Sequence, residues 1–416
     1  LAAHDPYAAL RIPNFRRLIL GYGLITVARE AQIVVIGWQI YELTKDPLSL
    51  GMIGLAEALP FIAVALYAGH VADRASRRMI TLAGTFGLLL SAIALLVFTL
   101  RPSIFVHGGV WPVYAVIFLS GIARSFTRPA LTALSAEVVE RELYPSAVAW
   151  RASTWQFAAI LGPALGGLLY GFAGPATTYA IVVVLMTIAL GTLAIIKHES
   201  RALPPSDLSV GESVGTGIRF ILGQQVVLAA MTLDLFSVLF GGATALLPIF
   251  ARILKAGPQG LGMLRAAPAV GSLLMGVYLA HRPPMKRAGV TMLCAVALFG
   301  LTIIGFGLST NFWLSLTLLT LNGAADDISV VIRSTMIQTM TPESMLGRVS
   351  SVNQIFIGSS NEIGAFESGV TAKLMGTVPS VLFGGFMTLV VVAMTAVWSK
   401  QLRRMTTIGA PPVHTS

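Results

Sequence analysis

The sequence predicts an all-α membrane protein: twelve transmembrane helices in two six-helix, pseudo-symmetric bundles. Three observations lead there: an apolar composition, a succession of hydrophobic runs of spanning length, and one long polar link near the middle. Of the 416 residues, 55% are hydrophobic and only 11% are charged, with a mean hydropathy of +0.80. Soluble domains carry about 25% charged residues, so this apolar excess has to face lipid rather than water. That excludes ordinary soluble enzymes. The net charge of +10 does not imply nucleic acid, because the basic residues sit in short clusters between apolar runs. The single cysteine, Cys294, leaves no disulfide framework or cysteine metal site.

A hydrocarbon core needs roughly 20 apolar residues per helix. Runs of that kind fall at 15–43, 48–70, 79–100, 111–134, 147–171, 176–197, 226–250, 260–280, 288–308, 312–335, 346–372 and 379–399. Arg11, Arg16 and Arg17 lead into a first run too long for a signal peptide. An even number of spans puts both ends of the chain on one side. With that side cytoplasmic, the external loops hold only Lys45, Arg101, Arg252, Lys255 and Lys373 of the 28 Lys and Arg residues. The positive-inside rule therefore predicts cytoplasmic termini.

Residues 198–225 are longer and more polar than the other connections and contain Pro204, Pro205, Ser206 and Asp207. They divide the chain into bundles at 1–197 and 226–416, the second ending in a short cytoplasmic tail. Within the link, Val214 to Gln225 is mildly amphipathic, either an interfacial helix or a plain linker. The polar hairpin at Glu142-Leu143-Tyr144-Pro145 before span 5 returns as Ser344-Met345-Leu346-Gly347 before span 11, the symmetry expected of transporter repeats.

The connection after span 2 reads Gly69-His70-Val71-Ala72-Asp73-Arg74-Ala75-Ser76-Arg77-Arg78. It resembles the G-x-x-x-D-R-x-G-R-R signature of the major facilitator superfamily, with Ser76 where that family usually has Gly. Gly69 permits close helix approach. Asp73 suits a helix N-terminus, and the arginines Arg74, Arg77 and Arg78 suit an anionic cytoplasmic surface. This set is read as a cytoplasmic gate. Span 5 carries Gly162-Pro163-Ala164-Leu165-Gly166-Gly167, similar to the superfamily's antiporter motif. Its small residues allow close packing and Pro163 offers a hinge. Gln338-Thr339-Met340-Thr341-Pro342-Glu343-Ser344-Met345-Leu346-Gly347-Arg348, together with Phe15-Arg16-Arg17, resembles the enterobactin-exporter and drug-efflux branch. The branch implies export of a siderophore or another amphiphile, coupled to protons, across a bacterial inner membrane. The arginine that drug antiporters place in span 4 is replaced here by Ile117, and Arg124 stands two turns on.

Well inside the spans stand Arg29, Glu30, Glu57, Arg124, Arg128, Arg151, Asp234, Arg265, Asp326, Asp327, Arg333, Glu362 and Glu367, whereas spans 3, 6, 9 and 12 hold none there. The resemblance implies that those four helices face lipid, which charge avoids. Candidates for substrate binding and proton coupling are Arg29, Glu30, Glu57, Arg124, Asp234, Asp326, Asp327 and Glu362. Arg29 or Arg124 would attract an anionic group, and Glu30, Asp326 or Asp327 would carry the proton. Arg29 and Glu30 stand halfway along span 1, and Asp326 and Asp327 halfway along span 10, so a central cavity could bring them face to face. About 100° of helix rotation separates Asp326 from Asp327, so they cannot share one direction. Arg128, Arg151, Arg333 and Glu367, nearer the span ends, read as static ion pairs. Trp155, Phe157, Phe236 and Phe240 offer apolar walls.

The six histidines lie in loops or at span ends, so no metal site is expected. No phosphate-cradling G-x-x-x-x-G-K-[ST] loop is present. The expectation is a monomeric secondary exporter in contact with lipid, driven by protons, without cofactor or nucleic-acid partner. A lipid flippase and a non-transporting sensor on the same fold are the alternatives.

Overall fold

The computed structural model describes residue 5 and residues 7–74, 76–197, 210–283 and 285–405. In chain order the helices are α1 (Ala8–Arg11), α2 (Pro13–Thr44), α3 (Pro47–Arg74), α4 (Arg77–Leu100), α5 (Ser103–Gly108), α6 (Trp111–Glu137), α7 (Tyr144–Ala194) and α8 (Val210–Gly223). They continue as α9 (Gln225–Phe240), α10 (Leu247–Ile253), α11 (Gly257–Ala280), α12 (Ala288–Leu308), α13 (Phe312–Met340), α14 (Glu343–Met375), α15 (Thr377–Trp398) and α16 (Lys400–Arg404). No strand occurs among the described residues.

The predicted spans coincide with helix except span 7, which breaks at Gly241 and Gly242 into α9, a 3₁₀ turn at Ala243–Leu246 and α10. Among the described residues nine stretches are long and apolar enough to cross a membrane, one of them holding spans 5 and 6 together. Predicted spans 4 and 11 are α6 and α14, of 27 and 33 residues. Both are long enough but too polar to stand among the nine, α6 through Arg124 and Arg128 and α14 through its Ser, Asn and Glu residues.

Local chemistry sets the helix ends. Pro13, Pro112 and Pro145 occupy first-turn positions, where a missing N–H costs nothing. The Asn311 side chain accepts from the N–H groups of Trp313 and Leu314 and starts α13. Ser76, at φ −59°, starts α4 by accepting from the Met79 N–H at 3.4 Å. The family glycine is therefore dispensable at this position, since no left-handed backbone is required and the hydroxyl provides a cap. Spans 5 and 6 meet without a loop. The backbone stays helical through Pro163 and leaves helical angles within α7 only at Gly174, at φ 78°, a value costly for any residue with a Cβ.

By its contacts the chain divides into two compact units, Leu1–Asp207 with Phe250–Ala266 and Leu208–Ile249 with Ala267–Ser416. The segment Phe250–Ala266, expected with the second bundle, groups with the first unit, so the division falls within α10 and α11. In the first unit α2 packs along α7, while α6 packs between α3 and α4. Phe15, Leu18, Leu134, Met186 and Leu193 are fully buried in its core. In the second unit α12 packs against α13 and α15, and α9 against α14 and α15, around Leu233, Met292, Ile332, Met336 and Leu402. The amphipathic stretch of the link is helical as α8. It packs on α14 and α9 through buried Ile221, beside Val349 and Val352. The rest of the link, 198–209, lies outside the described residues.

Candidate functional site

Charge inside a membrane protein has to be matched by charge or by water, so the pairing of the span residues defines the site. In the first unit the pivot is Glu57 on α3. Its Oε1 accepts from Arg29 of α2 at 2.6 Å and also pairs with Arg124 of α6. Arg29 reaches Glu30 as well, at 3.3 Å. Gly121 places Arg124 there: a Cβ on it would stand 2.7 Å from Pro60 Cγ, so only glycine lets α6 approach α3 this closely one turn before Arg124. The Arg124 guanidinium also lies 5.6 Å from the centroid of the Phe61 ring, a cation–π distance.

The span-5 motif belongs to the same cluster. A Cβ on Gly162 would lie 2.6 Å from Glu30 Cβ and one on Gly166 would lie 2.7 Å from Ala31 Cα. Gly167 faces the Gly262 backbone. The small residues therefore bring α7 against α2 at the level of Glu30.

Arg128 and Arg151, expected in static ion pairs, form none among the described residues. The charged groups acting on Arg128 are Arg124, Arg29 and Arg151 together with Tyr22. Arg265, which carried no assigned role, acts on Glu57. Three arginines thus act on Glu57, and Arg128 and Arg151 stand within electrostatic reach of that cluster. An exposed ion pair is worth little, but here Glu57, Arg124 and Arg29 have side chains only 15, 15 and 28% exposed.

The Gly69–Arg78 motif is a further polar junction. Arg77 was expected at the surface but is only 9% exposed and pairs with Glu137 of α6 at 2.6 Å. Arg78 donates to the Ala194 carbonyl at the end of α7, at 2.7 Å. Gly69, Asp73 and Arg74 stand on the last turns of α3, and their side chains lie outside the described residues.

In the second unit, Asp234 of α9 pairs with Arg333 of α13, and both are nearly fully buried. This is the static pair expected of Arg333, with a candidate residue as its partner. Asp326 and Asp327 separate as helical rotation requires. Asp326 lines a small cavity with Asp234, whereas Asp327 Oδ2 lies 3.4 Å from where a Cβ of Gly276 on α11 would stand and accepts no hydrogen bond among the described residues. Glu362 and Glu367 are half-buried on α14. Phe236 and Phe240 stack at 6.4 Å, while Trp155 and Phe157 are exposed.

Ser237 and Ser329 also line the cavity, and sequence reasoning passed over both. The signal was available, since Asp234-Leu235-Phe236-Ser237 and Asp326-Asp327-Ile328-Ser329 repeat one Asp-x-x-Ser spacing on two helices.

The family model described as transmembrane secretion effector, one of the major facilitator families, matches residues 4–413. The chain belongs to that family. Enterobactin exporters EntS of Shigella flexneri and Escherichia coli (strain SE11) are each 27% identical over 400 residues, covering 94% of this chain and 93% of theirs. Among solved structures, a point mutant of the nucleoside transporter NupG superposes with a TM-score of 0.74 at 13% identity, over 93% of this chain and 100% of that one. A POT family transporter in complex with 5-aminolevulinic acid gives 0.72 at 10% identity, over 93% and 96%. Likeness at such low identity establishes the major facilitator fold alone. Family and fold together make the protein a major facilitator transporter, related to the enterobactin exporters, in a membrane.

Proposed function

We propose that this chain is a secondary exporter of a small amphiphilic anion, siderophore-like or drug-like, working by proton antiport across a bacterial inner membrane. Two six-helix bundles, 1–197 and 226–416, alternate access to the substrate on either side, joined by the link at 198–225. The termini are cytoplasmic, the gate is the Gly69–Arg78 motif, and the working unit is a monomer. The observation that carries the anionic substrate is the excess of arginine around Glu57. Arg29 and Arg124 share one carboxylate while Arg128 and Arg151 have no acidic partner among the described residues. A bound carboxylate or catecholate would supply the missing negative charge, and arginine suits such planar oxyanions through its forked donors.

The proton carriers on this reading are Glu30, Asp326 or Asp327, with Glu362 a further candidate. A buried carboxylate that changes access between two sides can take a proton from one and release it to the other.

The test uses inverted inner-membrane vesicles from cells overproducing the protein, energised inside-acid. Uptake of an anionic catecholate siderophore is followed beside that of a lipophilic cationic dye. The expected result is siderophore uptake that collapses with the gradient and is lost in Arg124→Gln. Uptake of dye alone would overturn the anionic reading, and uptake of neither would overturn export of either class.

A further inference from the structure

The second unit contains a binding site distinct from the arginine cluster. Residues three apart on a helix share a face, so the repeated Asp-x-x-Ser spacing presents one carboxylate and one hydroxyl from α9 and the same pair from α13. The two faces meet. Asp234, Ser237, Asp326 and Ser329 together line a cavity of about 10 Å³ whose remaining wall includes Val296 and Phe299 of α12. A single water-sized occupant needs about 10–15 Å³.

Ser237 and Ser329 are only 3 and 2% exposed, and neither hydroxyl has a hydrogen-bond partner among the described residues. Burying such a group without a partner is unfavourable, and two of them on residues lining one cavity mark it as a place for an occupant. Charge says which kind. The charged residues acting on Asp326 are Asp234 and Arg333 and, least, Asp327, which does not line the cavity; Glu362 and Glu367 of α14, which packs on α9 and α13, are not among them. Arg333 is engaged by Asp234, and α12 and α15 contribute no acid or base except the exposed Cys294. Among the residues lining the cavity or pairing with them, two carboxylates against one guanidinium leave one negative charge in excess, which a half-buried Asp326 is better placed to hold with a counter-charge than alone. The polar side chains lining the cavity carry only oxygen, which suits hard cations and not soft metals. A single compensating charge matches a monovalent cation rather than a divalent one.

We propose that this cavity binds one monovalent cation, the proton or sodium, as the coupling ion: Asp326 supplies the charge and the Ser237 and Ser329 hydroxyls make the site competent for sodium. The assignment rests on the exporter reading above, because a coupling ion presupposes transport. It narrows the carriers to Asp326 and places Asp327 outside the ion site.

The experiment is thermal unfolding of the purified full-length protein in detergent, in choline, potassium and sodium chloride, at mildly acidic and mildly alkaline pH. A cation that binds only the folded state raises the midpoint. The wild-type midpoint is expected to rise on acidification, on adding sodium at alkaline pH, or on both. Asp326→Asn should abolish those rises and unfold near the midpoint of the loaded wild type, while Asp327→Asn should keep them. Loss of the sodium rise alone in the Ser237→Ala/Ser329→Ala double variant identifies sodium as an occupant. A rise with acid only, dependent on Asp326, identifies the proton. Rises of wild-type size in Asp326→Asn overturn the site.

If Asp326→Asn does not fold, the unaltered protein still decides. Sodium displacing a proton from one shared site releases that proton into weakly buffered solution, and no release with no response of the midpoint to either cation overturns the proposal. Siderophore uptake is scored separately. Uptake without any cation response dependent on Asp326 removes the site and leaves the exporter reading, and a response without uptake does the reverse.

Discussion

The two units solve the same problem, ionised groups inside a membrane protein, with opposite surpluses. The first sets Arg29, Arg124 and Arg265 about Glu57, with Glu30 beside Arg29 and with Arg128 and Arg151 in electrostatic reach of the cluster. The second sets Asp234 and Asp326 against Arg333. The difference shows up in how each cluster would respond to losing a member. Glu57 is shared by two arginines, so removing its charge takes an acidic partner from both, with Arg29 keeping Glu30. Asp234 holds one arginine, and Arg333 keeps Asp326 as a second acid within electrostatic reach.

The largest expected effect follows directly. Glu57→Gln should destabilise the protein by about 3–5 kcal/mol, the cost of breaking a buried pair by removing one partner, and should abolish uptake. Asp234→Asn should cost clearly less, because Arg333 can turn to Asp326. Thermal unfolding of both variants in one detergent checks this, and equal losses would erase the contrast between the units. A double-mutant cycle sharpens it. Asp234→Asn with Arg333→Gln should cost less than the sum of the two single changes, and strict additivity would show that the pair does not couple.

Next in size is Gly162→Val, which would drive a side chain into Glu30 and the Val27 carbonyl. Overpacking of this kind costs about 1–3 kcal/mol, and reduced uptake beyond the loss of folded protein would show that α7 positions the Arg29–Glu30 pair. The smallest effect expected is that of Asn311→Ala, which removes the cap of α13 at a cost of about 1 kcal/mol and should lower the unfolding midpoint while leaving uptake per folded molecule unchanged. Loss of uptake there would show that α13 is fixed from its first turn.

Much of the fold was legible because membrane spanning writes itself into run length: all the predicted runs but span 7, which breaks at Gly241 and Gly242, coincide with helix, and the gap left between spans 5 and 6 contains Gly174, where α7 leaves helical angles. The grouping of Phe250–Ala266 with the first unit was not legible, since it depends on packing against α7 and no local pattern announces it. Charged candidates were visible one by one, as an Arg or Glu in an apolar run stands out. Their pairing was not. Glu57 meets Arg124 only because Gly121 packs on Pro60, a contact between helices more than 60 residues apart in sequence. Hydropathy ranked Arg77 with its basic neighbours, whereas the half-buried Glu137 draws it inward. Ser237 and Ser329 escaped notice for a different reason. Serines on membrane helices commonly bond back to their own backbone, as Ser91 and Ser125 do, so a serine gains meaning only when a second helix supplies its neighbours.

The odd carboxylate in the second unit has an electrical consequence. A carrier whose pocket is neutral when loaded and negative when unloaded responds to membrane voltage in only half of its cycle. Moving one elementary charge through the full field changes the energy by about 2.3 kcal/mol per 100 mV. In the proposed antiport the cation-free step is the one that carries substrate outward, so voltage would act on that step and leave the cation-loaded step indifferent, and a resting cell and a depolarised one would export at different rates from the same ion gradient.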